Sequence, residues 1–537
     1  MRPLSLHLAL LVAACTSTPA TPDRGDANPR VDKRPDSTSS PDRLIDRAHD
    51  GLLGDSALPD SAVPDSTAGP PPSQLPFPYS RPDVGQPVTA AELQAITDKY
   101  LELLKDTRYF DFLEERVHGW PQTDPAGKYW YGTWWSGVTV IKKGGQVTYL
   151  HNSDGADNNG LRTAQLMEGT CYALLLWNRS KDELLLHRMV RGFSSWIMAL
   201  KKQQIDPTQI LLSRAAYPVA VKSAEGGRDL YIDYSLNRPG LDNGATEYVH
   251  LPQNPHWGDI WVKNKRSKDD LGHMFRGMGQ IEACAPRLSP QGVQSLDKMR
   301  LLYRAWSQQV EDDGWAIATL DKNLNLWVPP DTLAHFTNLA GAECAGMLAL
   351  RLMGRGDPGQ LDCGNGISLA EILGGELIKS GNKQMFRTYH EAAANHALLA
   401  KQSTVALKLL QGLALRIEQD LPAVEAGTPP SNLNPTDFAS LVMHAANVGV
   451  PLTSREVRWL HTRIEQAHAS FRSPGLAPHF RVFDPATPDG TYAYEPGGAG
   501  IWVNDLGLAL GSCASQYRNP TGRPILDCAR VLQGGPP

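Results

Sequence analysis

The sequence predicts a mainly α-helical protein that follows a disordered N-terminal segment. Ten segments between residues 91 and 471 repeat apolar residues at the helical period. Hydrophobic residues make up 41% of the 537 residues and charged residues 20%, which is enough for a substantial core. Residues 16–75 contain no Phe, Tyr or Trp. We therefore expect one helical body behind a segment that has no core of its own.

The charge balance and the hydropathy pattern exclude two classes of protein. The chain has 52 Lys and Arg against 57 Asp and Glu, a net charge of −5, so no basic field recommends nucleic acid as a partner. Beyond the N-terminus no run of 18 or more apolar residues could cross a bilayer as a helix. We expect a monomeric body that does not span a membrane.

The first fifteen residues resemble a bacterial lipoprotein signal. Arg2 supplies a positive charge, residues 4–14 are mostly apolar, and Val12-Ala13-Ala14-Cys15 matches the lipobox position by position. The resemblance implies that Cys15 becomes the lipidated N-terminus and that the membrane is reached only through this anchor. Thr16, where some sorting signals have Asp, favours the outer membrane. The alternatives are an ordinary secretory signal with a chance cysteine and a buried helix start.

A tether separates this signal from the body. Residues 16–75 contain ten Asp and ten Pro, so they cannot bury enough apolar surface to offset their chain entropy. We assign residues 1–14 to the signal peptide, 15–85 to the lipidated cysteine and its disordered tether, and 86–537 to a single domain. A specific docking segment is the alternative for the tether.

The helices of the domain are predicted from their periodicity and their caps. Thr89 with Glu92 and Thr453 with Glu456 each form the capping-box pattern. The longest segment is expected to divide near Gln402. The predicted helices are residues 91–104, 161–177, 181–200, 269–288, 290–310, 331–353, 369–379, 386–421, 435–448 and 454–471.

Short strands are predicted in the connections between helices. Residues 138–141 and 146–150 flank a Lys-Lys-Gly-Gly turn, a hairpin pattern, and residues 317–327 and 480–502 indicate further hairpins or ordered loops. Paired helices with hairpins in their connections fit an (α/α) toroid, in which loops at one end build a cleft. Over residues 85–537 the chain resembles, at this coarse level, the six-hairpin glycoside hydrolases and polysaccharide lyases. A helical-repeat solenoid predicts self-similarity every 30 to 50 residues, and the sequence has none.

The cysteines agree with export to an oxidising compartment. Besides Cys15 there are six, and the short separations favour the pairs Cys344 with Cys363 and Cys513 with Cys528. Cys171 and Cys284 then either form a long-range disulfide or remain reduced and buried.

The first candidate site is one face of the helix predicted at residues 269–288. Asp269, His273, Arg276 and Gln280 share that face, and Asp270 follows Asp269 at the start of the helix. An acid, an imidazole and a guanidinium on one stripe suit a cleft wall with catalytic Asp269, Asp270 and His273 and substrate-binding Arg276. The alternative is a solvated face with an aspartate cap.

The second candidate site lies on the helix that begins at residue 386. Tyr389 and His396 are seven residues apart and share a face, with small alanines between them. Tyr and His can move the proton in β-elimination, while Arg387 and Asn395 can neutralise a uronate carboxylate, as in the lyases that the chain resembles. A buried histidine that only hydrogen-bonds is the alternative.

The remaining candidates are loops that could meet a sugar. Asp154 and Asp157 precede the helix at residue 161, where they could supply a hydrolase carboxylate, cap the helix, or weakly support Ca²⁺. Aromatic side chains that could stack on sugar rings are Trp134, Trp135 and, beside His256, Trp257. No other metal or cofactor is predicted.

Two functions remain open from the sequence. The first is a surface or periplasmic carbohydrate-active enzyme, a polysaccharide lyase or a glycoside hydrolase. The second is a non-catalytic lipoprotein that binds glycan or a protein partner through the same aromatic loops.

Overall fold

A computed structural model describes the helical body and parts of its connections. The described residues are 75–107, 109, 138–144, 146–152, 159–193, 211–213, 215–218, 231–233, 248–254, 258–263, 268–321, 323, 325–328, 342–359, 361, 384–429, 433–471, 486–494, 500–515, 519 and 521–534. Within them the protein is mainly helical, as predicted. No helix of this part of the chain is long and apolar enough to cross a membrane.

The described residues form twelve α-helices, of which the first ten lie close to predicted positions and the last two were not predicted. They are α1 Ala90–Asp106, α2 Asn159–Trp177, α3 Ser180–Gly192, α4 Lys268–Ile281, α5 Pro290–Asp312, α6 Ala342–Arg355, α7 Gln384–Leu399, α8 Ser403–Glu425, α9 Pro435–Val448, α10 Ser454–Phe471, α11 Leu508–Ser515 and α12 Cys528–Gly534. The predicted division near Gln402 is confirmed, and so are both capping boxes. The predicted continuous helix to residue 288 is wrong beyond Ile281, because Pro286 has no N–H to donate and the chain continues as the 3₁₀ turn Glu282–Arg287. The predicted helix at 369–379 lies outside the described residues.

The strands lie in the connections, as predicted, and form three sheets. They are β1 Val138–Lys143, β2 Gln146–Asn152, β3 Ala215–Pro218, β4 Tyr231–Asp233, β5 Tyr248–Asn254, β6 Gly258–Lys263, β7 Thr319–Leu320, β8 Leu326–Trp327 and β9 Gly490–Tyr494. The sheet orders are β4-β2-β1-β9, β3-β6-β5 and β7-β8. The hairpins at 138–150 and 317–327 are confirmed. Of the segment 480–502, the described strand β9 pairs with β1.

Five helices pack around a common interior. α2 contacts α4, α4 contacts α7, α7 contacts α9, α9 contacts α11, and α11 contacts α2, which closes the cycle. We call these five the ring helices. The other helices pack outside them: α3 against α2 and α5, α8 against α7 and α9, and α10 against α9 and α1.

Between neighbouring ring helices, successive contacts run toward the C-terminal end of both helices. From α4 to α7, Arg276 pairs with Glu391, and one turn later Gly279 lies so close to Asn395 that a Cβ there would be 2.5 Å from its Nδ2. Between α2 and α4 the order is Glu168 with Arg276 and then Cys171 with Gln280. The residues that lead into α11 follow α9 in the same order, with Ser440 beside Asp505 and then Asn447 beside Leu508. They also follow α2, with Gln165 beside Asn504 and then Gly169 beside Gly507. The ring helices are therefore parallel, with their N-terminal ends together.

The two ends of the ring differ in their connections. At the C-terminal end, α2 leads into α3, α7 into α8 and α9 into α10 through five residues or fewer. The connections that enter α2, α4 and α11 at the other end carry seven of the nine described strands, and one sheet combines β1 and β2, β4 and β9 from all three. Long connections thus meet at the N-terminal end of the ring.

The residues just before α1 contact the helical body. The Tyr79 hydroxyl donates to a backbone carbonyl of α8, and both terminal nitrogens of Arg81 lie 3.0 Å from the Glu456 carboxylate. Asp83 accepts hydrogen bonds from the backbone and the hydroxyl of Ser454. These residues belong to the stretch that the sequence analysis assigned to the tether, so the packed body includes residues before 86.

Two disulfides join elements of the body. Cys171 on α2 pairs with Cys284, a bridge that the sequence left open, and Cys513 pairs with Cys528 as predicted. The Cα atoms are 5.7 and 5.2 Å apart, ordinary separations for a disulfide. Cys344 is also disulfide-bonded, whereas Cys363 lies outside the described residues, so their pairing stays a prediction.

Arg81→Ala is expected to lower the free energy of unfolding by about 3 kcal/mol, because it leaves the nearly buried Glu456 without its cation. Denaturant unfolding measures the loss. Arg530→Ala, which removes a cation paired with Asp98 at the surface, is the matched control and should change stability little. A loss of unfolding free energy for Arg81→Ala as small as that for Arg530→Ala would show that residues 79–83 do not contribute to the stability of the body.

Candidate functional site

Four charged or titratable side chains meet in the middle of the ring. Glu168 on α2, Arg276 on α4, Glu391 on α7 and His444 on α9 each lie between the eighth and the tenth residue of their helices. At 1.5 Å per residue this is roughly 13 Å from the N-terminal ends. All four side chains are at most 1% exposed. We call them the central charge layer.

Arg276 links the two glutamates. Its Nε donates to Glu168 Oε1 over 3.0 Å, and its Nη1 donates to Glu391 Oε2 over 3.1 Å. His444 completes the layer, with Nδ1 3.1 Å from Glu168 Oε2 and Nε2 3.9 Å from Glu391 Oε2. One guanidinium therefore holds three of the ring helices through charge-assisted hydrogen bonds.

The two glutamates differ in their proton affinity. Burial raises the pKa of Glu391 to about 8, and Arg276 only partly offsets this. Burial acts on Glu168 in the same sense, but Arg276 and His444 outweigh it and lower its pKa below the ordinary value. Burial, together with the charge of Arg276, lowers the pKa of His444 to about 4. Near neutral pH the layer therefore holds one carboxylate, one carboxylic acid, one neutral imidazole and one guanidinium.

A second polar group lies between this layer and the N-terminal end. Ser440 donates to the Asp505 carboxylate, and Asn504 donates to Gln165. Arg162 donates to Gln165 over 3.1 Å and to Asn504 over 3.3 Å. Burial raises the pKa of Asp505 to about 6, although Ser440, Arg276 and Arg162 oppose the shift. A protonatable carboxyl group therefore lies on the N-terminal side of the central charge layer.

Arg162 and Trp502 form the outer boundary of this group. Both are only partly buried, and the guanidinium lies 5.8 Å from the centre of the indole ring, which is cation–π geometry. The Trp502 Nε1 donates to Asp437 Oδ1 over 2.7 Å. We call Arg162, Asp437, Trp502 and Asp505 the entrance group.

His273 lies close to both groups. Its side chain is 5% exposed, and its Nδ1 has no hydrogen-bond partner among the described residues. Burial lowers its pKa well below the ordinary value, and Arg276 and Arg162 add to the effect, so the ring is neutral. Further buried polar atoms without a hydrogen-bond partner in this part of the chain are Arg276 Nη2, Gln280 Nε2, Glu391 Oε1 and both amide atoms of Asn395. So many unpartnered polar atoms are unusual in a core that serves packing alone.

The predicted face of α4 does line this interior. His273, Arg276 and Gln280 are 5%, 1% and 1% exposed, so the alternative of a solvated helix face is wrong for these three residues. Gly277 and Gly279 explain the burial, because they let α4 approach Ala164 of α2 and Asn395 of α7. Asp270 is buried near the start of the helix, and Asp269 occupies its second position.

Tyr389 and His396 both contact Phe275 of α4, in different ways. The Tyr389 ring is buried 5.9 Å from the Phe275 ring, whereas His396 Nε2 donates to the Phe275 carbonyl over 2.9 Å and lines a separate pocket. The alanines between them are fully buried among neighbouring helices. Of their predicted companions, Arg387 pairs with Asp420 over 2.8 Å and Asn395 lies against Gly279. Their catalytic and substrate-binding roles stay predictions.

Several predicted positions lie outside the described residues. They are Cys15, Trp134, Trp135, Asp154, Asp157, His256 and Trp257. Within the described ranges, no group of three or more His, Cys, Asp or Glu has an arrangement that could hold a metal ion.

The sequence analysis missed most of the interior groups. Glu168, Glu391, His444 and Asp505 were not singled out as site residues. The available signal was a titratable residue in the apolar middle of a helix, as for Glu168 in α2 and His444 in α9. Such a residue must find a buried partner, which sequence periodicity does not identify.

Comparisons with known proteins identify no relative. No protein-family model, no curated protein and no solved structure matched the chain. The fold and the interior of the ring are therefore the basis for a function.

The raised pKa of Glu391 predicts a pH-dependent stability. Its pKa in the folded chain is about 8 against an ordinary value of 4.5, so proton binding stabilises the fold most at low pH. This contribution falls as the pH rises from 4.5 to 8. Glu391→Gln keeps a neutral amide at the position and removes the titration, so the free energy of unfolding of wild type minus that of the variant should fall over that range and then level off.

Denaturant unfolding at a series of pH values measures this difference. Glu418→Gln is the matched control, because the Glu418 side chain is 66% exposed, and its difference from wild type should show no such trend. A wild-type-minus-variant difference in unfolding free energy that stays constant or rises from about pH 5 to 8 would contradict a protonated Glu391.

Proposed function

We propose that the protein is a polysaccharide-cleaving enzyme of the (α/α) toroid class that acts at the N-terminal end of its ring helices. The parallel ring, with other helices packed outside it, supports a toroid architecture. The long strand-bearing connections at one end support a cleft there, because binding loops are commonly carried on a rigid scaffold in this way.

The observation that carries the proposal is the set of carboxyl groups with separated proton affinities beneath this end. Glu168 is ionised near neutral pH, whereas burial raises the pKa of Glu391 and Asp505 to about 8 and about 6. Acid and base roles in hydrolases require such a separation between neighbouring carboxyl groups. We therefore favour hydrolysis over β-elimination.

Within the proposal, the entrance group supplies the chemistry. Asp505 is the proton donor, because it is protonatable near neutral pH and lies on the entrance side of the central charge layer. Asp437, which accepts hydrogen bonds from Trp502 and Asn434, is the candidate base or nucleophile. Trp502 offers an indole face for a sugar ring. Asp505 is closed to solvent, and Arg162 lies over the Trp502 ring. A substrate would therefore first have to displace Arg162 from the indole face.

The central charge layer has a positioning role in this proposal. Its side chains are too deeply buried to touch a polymer, but they fix the relative positions of α2, α4, α7 and α9. The helix ends that carry the entrance group depend on those positions.

A lyase is the second candidate, and one observation favours it. His273 presents an unpartnered Nδ1 close to the charge of Arg162, so a neutral base and a group that could neutralise a uronate carboxylate lie together. The assignment of the proton transfer to Tyr389 and His396 has less support, because Tyr389 is fully buried beside Phe275 and His396 already donates to the Phe275 carbonyl.

Incubation of the purified chain with a panel of neutral and uronate polysaccharides tests the proposal. We expect saturated reducing ends, and Asp505→Asn should slow their release about 10²- to 10⁴-fold without unfolding the protein. Asp98→Asn, an exposed aspartate on α1, is the control and should keep the wild-type rate.

Three outcomes would change the assignment. Unsaturated, ultraviolet-absorbing products that are lost in His273→Ala would establish the lyase. Full activity of a folded Asp505→Asn would remove Asp505 from the mechanism. Saturable glycan binding without any cleavage would favour the non-catalytic binding lipoprotein.

We further propose that the protein is exported and anchored in the outer membrane by lipid at Cys15. Two disulfides within the body support an oxidising compartment. Cys15→Ala should release the protein from membranes, which detergent partitioning measures. Unchanged partitioning would indicate a different anchor.

A further inference from the structure

A pocket of about 260 Å³ opens near the C-terminal ends of the ring helices, away from the entrance group. Its described lining comes from α4, α5, α6 and α7 and from the turns that follow them. We propose that this pocket binds a small aromatic carboxylic acid that carries a hydroxyl group.

The buried polar groups of the pocket are neutral. Tyr303 is 1% exposed, and its hydroxyl has no hydrogen-bond partner among the described residues. His396 is 6% exposed and donates from Nε2 to the Phe275 carbonyl, so Nδ1 of the neutral ring is left as an acceptor. A phenol and an imidazole acceptor suit a ligand hydroxyl, whereas a buried carboxylate would lack a cation there.

The exposed side of the pocket is cationic. Arg304 is exposed, and within the described part of the chain it has no ion-pair partner. Arg300 lies next to it but is held by Glu282 and Asp297. The lining therefore carries two guanidinium groups against one carboxylate, Glu282, and favours an anionic group at the mouth.

The walls between these two regions are apolar. Met278 and Leu352 are 3% exposed, and Met353 lies beside them. Leu399, at 42% exposure, is one of the few large hydrophobic side chains left open on the described surface. Two methionines adapt their shape to a flat ring and make favourable sulfur–aromatic contacts, which favours an aromatic ligand body.

Together these features set the orientation of the ligand. Its hydroxyl lies inside, next to Tyr303 and His396, its ring lies between the methionines, and its carboxylate lies at the mouth near Arg304. The pocket is slightly smaller than a typical site for a drug-sized molecule, so a single ring with a short acid chain is the expected size. This site is independent of the polysaccharide proposal, because no residue of the entrance group lines it.

Isothermal titration calorimetry of the full chain with 3-(4-hydroxyphenyl)propionate tests the inference. Two analogues separate its parts: 3-phenylpropionate lacks the hydroxyl, and 4-propylphenol lacks the carboxylate. We expect saturable binding of the hydroxy acid, and about 3- to 10-fold weaker binding of each analogue, as for the loss of one hydrogen bond or ion pair.

Two variants assign these losses to residues. Tyr303→Phe keeps the ring packing against Phe193 and Trp306, and should reduce the preference for the hydroxy acid over 3-phenylpropionate, because only His396 then remains to bind the ligand hydroxyl. Arg304→Gln should weaken binding of the hydroxy acid but not of 4-propylphenol. Tyr79→Phe and Arg530→Gln, which lie elsewhere on the body, are the matched controls and should bind like wild type.

Absence of saturable binding to the wild-type chain would overturn the inference. So would binding that Tyr303→Phe and Arg304→Gln leave unchanged, because the acid would then occupy another place. Neither result would bear on polysaccharide cleavage, which is measured separately.

Discussion

The fold depends on the guanidinium of Arg276 and its two glutamates. A buried cation without partners would be prohibitively costly, so α2 and α7 must each bring a carboxyl group to α4 at the same depth. The glycines of α4 make this approach feasible, since a side chain at Gly277 or Gly279 would collide with a neighbouring helix. Such buried pairs fix the relative positions of the helices more than they raise the free energy of unfolding, because desolvation offsets much of their attraction.

As a result of this arrangement, the two ends of the ring differ in their connections and in their proposed functions. Parallel ring helices leave their N-terminal ends together, and the chain places its long, strand-bearing connections there. Short connections at the other end leave room for a compact pocket among α4, α5, α6 and α7. The proposed polysaccharide chemistry and the proposed aromatic-acid site therefore lie on opposite sides of the central charge layer.

Much of the fold could be predicted from local sequence signals. Helix α9 matches its prediction because Asn434 caps it, Pro435 begins it, and Gly449 with φ of 124° ends it, all of which are local effects. The 3₁₀ turn after Ile281 was missed because the apolar pattern continues through Pro286. The face of α4 was found because its period brings Arg276 into line with His273 and Gln280.

The partners of that face could not be predicted in the same way. Glu168, Glu391 and His444 are more than 100 residues from Arg276 along the chain and meet it only through the packing of the ring. The helical spacing of Tyr389 and His396 did identify a shared neighbour, since both contact Phe275 of α4, but it did not show that Arg387 pairs with Asp420. Periodicity identifies a face, and only tertiary structure identifies what lies against it.

The most direct test of this account is a pair of double-mutant cycles on unfolding free energy near pH 6. One cycle combines Arg276→Met with Glu168→Gln, and the other combines Arg276→Met with Glu391→Gln. The account predicts substantial coupling in both, with the larger value for Glu168, because Glu168 is ionised there and Glu391 carries a proton. Coupling near zero in both cycles would contradict the claim that Arg276 holds the ring together.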